Sequence, residues 1–164
     1  MGLRLNRPTT PRRPVLAFIA LACLASVAFA LFAQYKLNMQ PCPWCILQRV
    51  IFLLIAILAG LGALLGGRAI TLLSSLLIVP AAAAGAAAAW YQHFVAAKSA
   101  SCNLTLADRI VSAIHLDTVF PAAFEVRASC ADAAANLAGV PFEFWSLALF
   151  VVLALVSLWC ALRA

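Results

Sequence analysis

Two cysteines in C-x-x-C spacing, Cys42 and Cys45, stand within Gln40-Pro41-Cys42-Pro43-Trp44-Cys45-Ile46-Leu47-Gln48-Arg49, where a polar link enters a long apolar run. That spacing lets a disulfide open and close without large backbone motion. Pro41 and Pro43 lack backbone N–H groups and restrict the residues before them, so the pair is expected in a turn ahead of a helix. Cys45 then falls at or near the helix N-terminus, where unpaired N–H groups and the dipole favour a thiolate. Arg49 follows one helical turn later on the same face. A thiol beside a fixed positive charge, at the edge of an apolar segment, is suited to electron transfer.

The chain has six cysteines. Cys102 and Cys130 lie in the only long polar stretch, whereas Cys23 and Cys160 lie inside apolar blocks, where free cysteine commonly serves as a small buried hydrophobe. The four link cysteines permit three pairings. In an oxidising compartment Cys42–Cys45 with Cys102–Cys130 is the natural set. Four thiolates could instead hold zinc, but such centres use two closely spaced pairs, and Cys102 and Cys130 are far apart. No metal is therefore expected. Two purely structural disulfides are the plainer alternative, and the placement of the C-x-x-C against a helix and Arg49 weighs against it.

The elements that must hold these residues follow from composition. The chain of 164 residues suits one domain, and it is 66% hydrophobic and only 10% charged, against about 25% charged in an ordinary globular domain. Its apolar residues fall into four blocks, roughly 14–33, 46–65, 69–89 and 142–162, each near the ~20 residues that cross a bilayer. The expected fold is an all-α membrane protein, a four-transmembrane-helix bundle forming a single integral domain. Two external loops, 34–45 and 90–141, would join the spans, the second carrying a short interfacial helix.

The formal charge of +6 does not indicate nucleic acid. Arg4, Arg7, Arg12, Arg13, Arg68 and Arg163 all fall on one expected side of the membrane. Lys36, Arg49, Lys98, Arg109 and Arg127 balance Asp108, Asp117, Glu125, Asp132 and Glu143 on the other. The excess is the positive-inside signal, with both termini cytoplasmic.

Along the chain, Met1 to Arg13 reads as a basic, proline-rich, disordered anchor. Ala28-Phe29-Ala30 resembles a leader cleavage site, but the apolar run before it exceeds the roughly 7–15 residues of a leader core. Ala56, Gly60, Gly62 and Gly66, and the alanines from Ala81 to Ala89, permit close helix approach, while Pro80 is a candidate kink. Thr105-Leu106-Ala107-Asp108 fits a capping box. Beyond it Leu106, Ile110 and Ile114 recur every fourth residue opposite Asp108, Ser112 and His115. That pattern predicts a helix in the membrane interface, or else one packed on the other loop. Trp90 and Trp145 are candidate interfacial anchors.

Taken in order, these features resemble the DsbB family of bacterial inner membranes over nearly the whole chain. The shared pattern comprises four spans, the C-x-x-C in the first external link and two spaced cysteines in the second. It also includes Gln34 eight residues before Cys42, Arg49 four after Cys45, Tyr91-Gln92-His93, and Leu137-Ala138-Gly139-Val140-Pro141 with Trp145 beyond. The resemblance implies a membrane thiol:quinone oxidoreductase that reoxidises a periplasmic DsbA-like partner and passes the electrons to a quinone, ubiquinone or menaquinone. Such a relay keeps the bacterial periplasm oxidising. By position, Cys102–Cys130 would be the disulfide attacked by the reduced partner, and Cys42–Cys45 would recover its electrons. The Cys45 thiolate would meet the quinone, flanked by Gln34 and Arg49, with His93 as a further contact. Gln48 stands where some relatives carry an acid.

A magnitude explains the need for such an acceptor. A DsbA-like dithiol has a potential near −120 mV, and structural disulfides lie below about −300 mV. Oxidising the first with the second is uphill by roughly 180 mV, on the order of 8 kcal/mol for two electrons. The external disulfides must be unusually oxidising or drained by a strong acceptor. Vitamin K epoxide reductase relatives share the C-x-x-C and loop cysteines, but there the loop cysteines come first. A non-catalytic membrane scaffold with two structural disulfides is the remaining alternative.

Overall fold

A computed structural model describes residues 12–98 and 105–163. Its elements are helices α1 (Arg12–Lys36), α2 (Pro43–Leu65), α3 (Arg68–Phe94), α4 (Leu106–Ala113), α5 (Leu116–Val119) and α6 (Pro121–Phe124), strands β1 (Asn136–Leu137) and β2 (Val140–Pro141), and helix α7 (Phe142–Leu162). The four long helices are each apolar and long enough to cross a bilayer, and a helix satisfies its own backbone there without water. The protein is an all-α, four-helix membrane protein. Its outer faces remain apolar and exposed, as at Phe18 and Leu21 of α1, Leu73 of α3 and Leu155 of α7.

Helix α2 packs between α1 and α3, and α7 closes against α3. The core joins all four through Leu16, Ile19, Phe52, Ile55, Ile78 and Phe150. At its centre the rings of Phe52 and Phe150 stack with centroids 4.0 Å apart and planes 7° from parallel. Small residues allow this approach. A Cβ on Gly85 would enter the Phe150 ring, and one on Gly62 would lie 2.7 Å from the Ser74 hydroxyl. Gly60, grouped with Gly62 by spacing, has open space beside it. Helix α3 runs unbroken through Pro80.

The boundaries of three helices differ from the sequence expectation. Helix α1 begins at Arg12 instead of near residue 14 and ends at Lys36 instead of near residue 33. Arg13 donates through Nε to the Ala63 carbonyl at 2.9 Å and through Nη2 to Leu64 at 3.3 Å, satisfying carbonyls that the end of α2 leaves free. Arg12 Nη2 donates to the Arg163 carbonyl at 2.7 Å. The expected anchor therefore ends in ordered helix, and its first eleven residues lie outside the described ones. Helix α2 starts at Pro43, not Ile46, because proline's fixed φ and missing N–H suit the first helical position. Helix α3 continues to Phe94, past the expected end at residue 89.

The same contacts gather Arg12, Arg13 and Arg163 beside the Gly66-Gly67-Arg68 turn. The C-x-x-C lies at the other end of α2. Arg4 and Arg7 lie outside the described residues.

In the second loop the capping box is formed. Thr105 Oγ1 accepts from the Asp108 N–H, and Asp108 Oδ2 accepts from the Thr105 N–H at 2.7 Å. The face of α4 turned to the protein is Ala107 and Val111, whereas Leu106, Ile110 and Ile114 stay exposed. Val111 packs with Ile46 and Phe124, so α4 rests on the start of α2. Ala138 and Gly139 both have positive φ, 55° and 82°, the conformation of a two-residue turn joining antiparallel strands. This small hairpin, β1 paired with β2, leads directly into α7.

Candidate active site

The site is assembled at the end of α2 that carries the C-x-x-C. Cys42 is the N-cap and Pro43 the first residue of the helix, which places Cys45 in the first turn. The two sulphurs lie 3.1 Å apart, in hydrogen-bond contact and beyond the roughly 2.05 Å of a disulfide. Cys42 is fully buried. It also shares a side-chain hydrogen bond with Cys130, and these bonds to Cys130 and Cys45, with burial, push its thiol well above the ordinary range. What brings the second loop there is backbone. Arg127 N and Ala128 N both donate to the Pro41 carbonyl, at 3.0 and 3.3 Å. Proline's lack of an N–H leaves its carbonyl as its only ladder group, and here that group takes two donors. The sequence groups Cys42 with Cys45 and Cys130 with Cys102. The structure puts Cys42 between Cys45 and Cys130, and Cys102 lies outside the described residues.

Cys45 faces the other way, into a cavity of about 620 Å³ bounded by α1, α2, α7 and the hairpin. Apolar walls come from Phe29, Phe52, Phe142 and Leu149; Arg49, Gln48, Gln92 and Glu143 are polar groups among its lining. Of the described cysteines, Cys45 alone lines it. Gln92 Nε2 donates to the Cys45 sulphur at 3.2 Å, and its Oε1 accepts from Gln48 Nε2 at 2.7 Å. Both amides are buried, so the chain of donors aimed at Cys45 is fixed by its own partners.

The three residues expected to flank an acceptor take different places. Arg49 lines the cavity. Gln34 stands behind it, buried, with Oε1 accepting from Arg49 Nη1 at 2.7 Å. Arg49 Nη1 also donates to the Ala123 carbonyl at 2.7 Å, and Nη2 to Ala30 at 3.3 Å. Gln34 thus orients the guanidinium from outside the cavity lining. His93 lies on α3 off the cavity; its Nδ1 pairs with Glu143 Oε1 at 2.6 Å, and Glu143 reaches the cavity in its stead.

Sequence reasoning missed Gln92, Glu143 and the active placement of Gln48. A signal existed for Gln92: the buried stripe Ala82, Gly85, Ala88 or Ala89 continues at helical spacing to it, one residue before His93. For Glu143 the signal was an acid in the first turn of an apolar span, a costly position that calls for a partner.

Comparison with known proteins identifies the family. The family described as "Disulfide bond formation protein DsbB" matches residues 12–160. The "Disulfide bond formation protein B 1" of Pseudomonas savastanoi pv. phaseolicola is 36% identical over 149 residues, covering 90% of this chain and 88% of the relative. The "Disulfide bond formation protein B" of Pseudomonas syringae pv. tomato is 34% identical over 149 residues, with the same coverage. That of Paracidovorax citrulli is 34% identical over 161 residues, covering 94% and 89%. With a family match across nearly its whole length and the fold of a four-helix membrane bundle, the chain belongs to the DsbB family.

Proposed function

We propose that the protein is a quinone-dependent thiol oxidase of the bacterial inner membrane that reoxidises a periplasmic DsbA-like dithiol protein. The single observation that carries this reading is the row Cys130, Cys42, Cys45, cavity, in which each sulphur touches the next and the last opens on an apolar chamber.

The chamber fits a quinone head by its size and donor set. Its volume lies within the ~300–1,000 Å³ of small-molecule sites, and such sites are mostly apolar with a few placed polar groups. Arg49 supplies fixed positive charge, Gln48 and Gln92 supply amides, and Cys45 supplies the reducing sulphur. When bound, a quinone provides an acceptor of two electrons and two protons that is soluble in the bilayer.

The chain's own residues do the rest. The partner's thiolate attacks Cys102 of a Cys102–Cys130 disulfide, forming a mixed disulfide and releasing Cys130 as thiolate. Cys130 then attacks Cys42 of a Cys42–Cys45 disulfide. The Cys130–Cys42 bond forms, the Cys42–Cys45 bond breaks, and the negative charge passes to Cys45 at the cavity wall. Gln92 donates to that sulphur, and Arg49 stabilises negative charge beside it. The partner's second thiol resolves the mixed disulfide, and return of Cys130 to Cys102 restores the reduced Cys42–Cys45 pair that the acceptor oxidises.

Purified protein in lipid should oxidise a reduced DsbA-like protein in proportion to added ubiquinone or menaquinone, with quinol formed one for one. A scaffold with two structural disulfides would leave the partner reduced whatever quinone is added. The charge asymmetry also assigns an orientation, with both termini cytoplasmic and the cysteine loops periplasmic. Reporter fusions after Arg68 and Arg163 should read inside, and one after Ser99 outside. A cytoplasmic reading at Ser99 would put the cysteines in a reducing compartment and end the oxidase reading.

A further inference from the structure

The ionisable groups lining the cavity are Cys45 and Arg49 from α2 and Glu143 from α7. Helix α1 contributes none, and α3 brings His93 to Glu143 from behind. Cys45 and Arg49 have tasks in the electron path, whereas Glu143 has none there. Yet it is a buried carboxyl, 6% exposed, at the mouth of an apolar helix, where such a group is costly unless partnered. Its partner is the one side chain that leads outward: His93 pairs with it at 2.6 Å and is itself 29% exposed. The pair joins the cavity to the surface at the end of the bundle where the cysteines lie.

We infer that Glu143 is the proton donor to the acceptor in the cavity, reloaded from outside through His93. The inference rests on the quinone reading above and adds a catalytic residue to it. The proton balance calls for such a group. When Cys42 as thiol and Cys45 as thiolate close into a disulfide, two electrons and one proton leave the pair. Reduction of a quinone to its quinol consumes two electrons and two protons. Cys42 supplies one proton, passed across its 3.1 Å contact to the Cys45 sulphur at the cavity wall, and the Glu143 carboxyl supplies the other, leaving a carboxylate. As His93 takes a proton from outside water on Nε2, it passes its Nδ1 proton to that carboxylate, so the ring stays neutral. Arg49 keeps its proton throughout, and the amides of Gln48 and Gln92 have none to give.

The test uses full-length protein, pre-reduced and mixed with a short-chain ubiquinone, comparing wild type with Glu143→Gln, Glu143→Asp and His93→Gln. Binding of the quinone to oxidised protein is measured separately, and infrared difference spectra follow the carboxyl band. Glu143→Gln should bind quinone as wild type does and form quinol about 10²-fold more slowly, the lower end of what a placed acid contributes. Glu143→Asp should recover part of the rate. The wild-type carboxyl band should bleach as quinol forms, and His93→Gln should delay its return and leave the first turnover fast. A wild-type rate in Glu143→Gln, a loss of quinone affinity with an unchanged saturating rate, or no carboxyl change in wild type would each overturn the relay alone. Wild type that reduces no quinone, although its cysteines exchange with a reduced partner, would overturn the quinone reading and the relay with it.

Discussion

Cys45→Ser should abolish quinone reduction outright, because among the described cysteines it alone reaches the cavity. The same variant should still react once with a reduced partner, since the proposed Cys102–Cys130 disulfide does not involve Cys45. Cys102→Ser should show the reverse: no partner oxidation, with Cys42 and Cys45 still exchanging electrons with quinone. The steady-state loss in either variant should reach the background of the uncatalysed exchange, several orders of magnitude below wild type. Quenching with a thiol-alkylating reagent after one partner equivalent, then mapping which cysteines are free, reads both halves of the relay. Full turnover by either single variant would show that the order of the sulphurs is wrong.

Arg49→Ala should weaken apparent quinone affinity by about tenfold to a hundredfold, the equivalent of losing one charge-assisted hydrogen bond of roughly 1.5–3 kcal/mol. The sequence places Arg49 one helical turn from Cys45, where it acts on the chemistry, and the geometry adds a second task. Its guanidinium ties α1, through Ala30 and Gln34, to α6 through Ala123. Truncation leaves those acceptors without their donor, so Arg49→Ala should also lower the unfolding temperature. Arg49→Lys keeps the charge and loses the planar fork; it should weaken quinone binding with a smaller thermal cost. Gln34→Ala, which frees the guanidinium to swing while keeping its charge, should fall between wild type and Arg49→Lys in affinity. A quinone titration of partner oxidation, run beside thermal unfolding, separates the two tasks. Unchanged quinone affinity in Arg49→Ala would reduce Arg49 to an anchor.

The four spans were legible because lipid imposes a length and an apolar composition that few other contexts demand. That Cys45 lies near the start of a helix was legible from the prolines, but they pointed to a turn ahead of residue 46, whereas Pro43 itself begins the helix. What escaped was decided by contacts across the sequence. Arg12 and Arg13 look like a soluble tail until the carbonyls of Ala63, Leu64 and Arg163 are placed beside them. His93 looks like the polar ligand of its triplet until helix α3 is carried through to Phe94, which turns Gln92 inward and His93 toward Glu143. Spacing paired the cysteines by proximity in sequence and gave no hint that Cys42 would lie against Cys130. That neighbour relation depends on two amides of the second loop finding the Pro41 carbonyl.

Those two amides have a kinetic meaning. The bonds from Arg127 and Ala128 to Pro41 involve no sulphur, so making or breaking a disulfide does not itself cut them. Cys130 therefore meets Cys42 as a tethered reactant, and its effective concentration is set by the clasp. Even a short flexible tether supplies millimolar effective concentration, and groups locked in contact reach far higher values. A small thiol in the surrounding fluid would have to match that concentration to intercept the exchange. In the proposed relay the backbone clasp thus acts as insulation around the wire, keeping electrons on the path from one sulphur to the next.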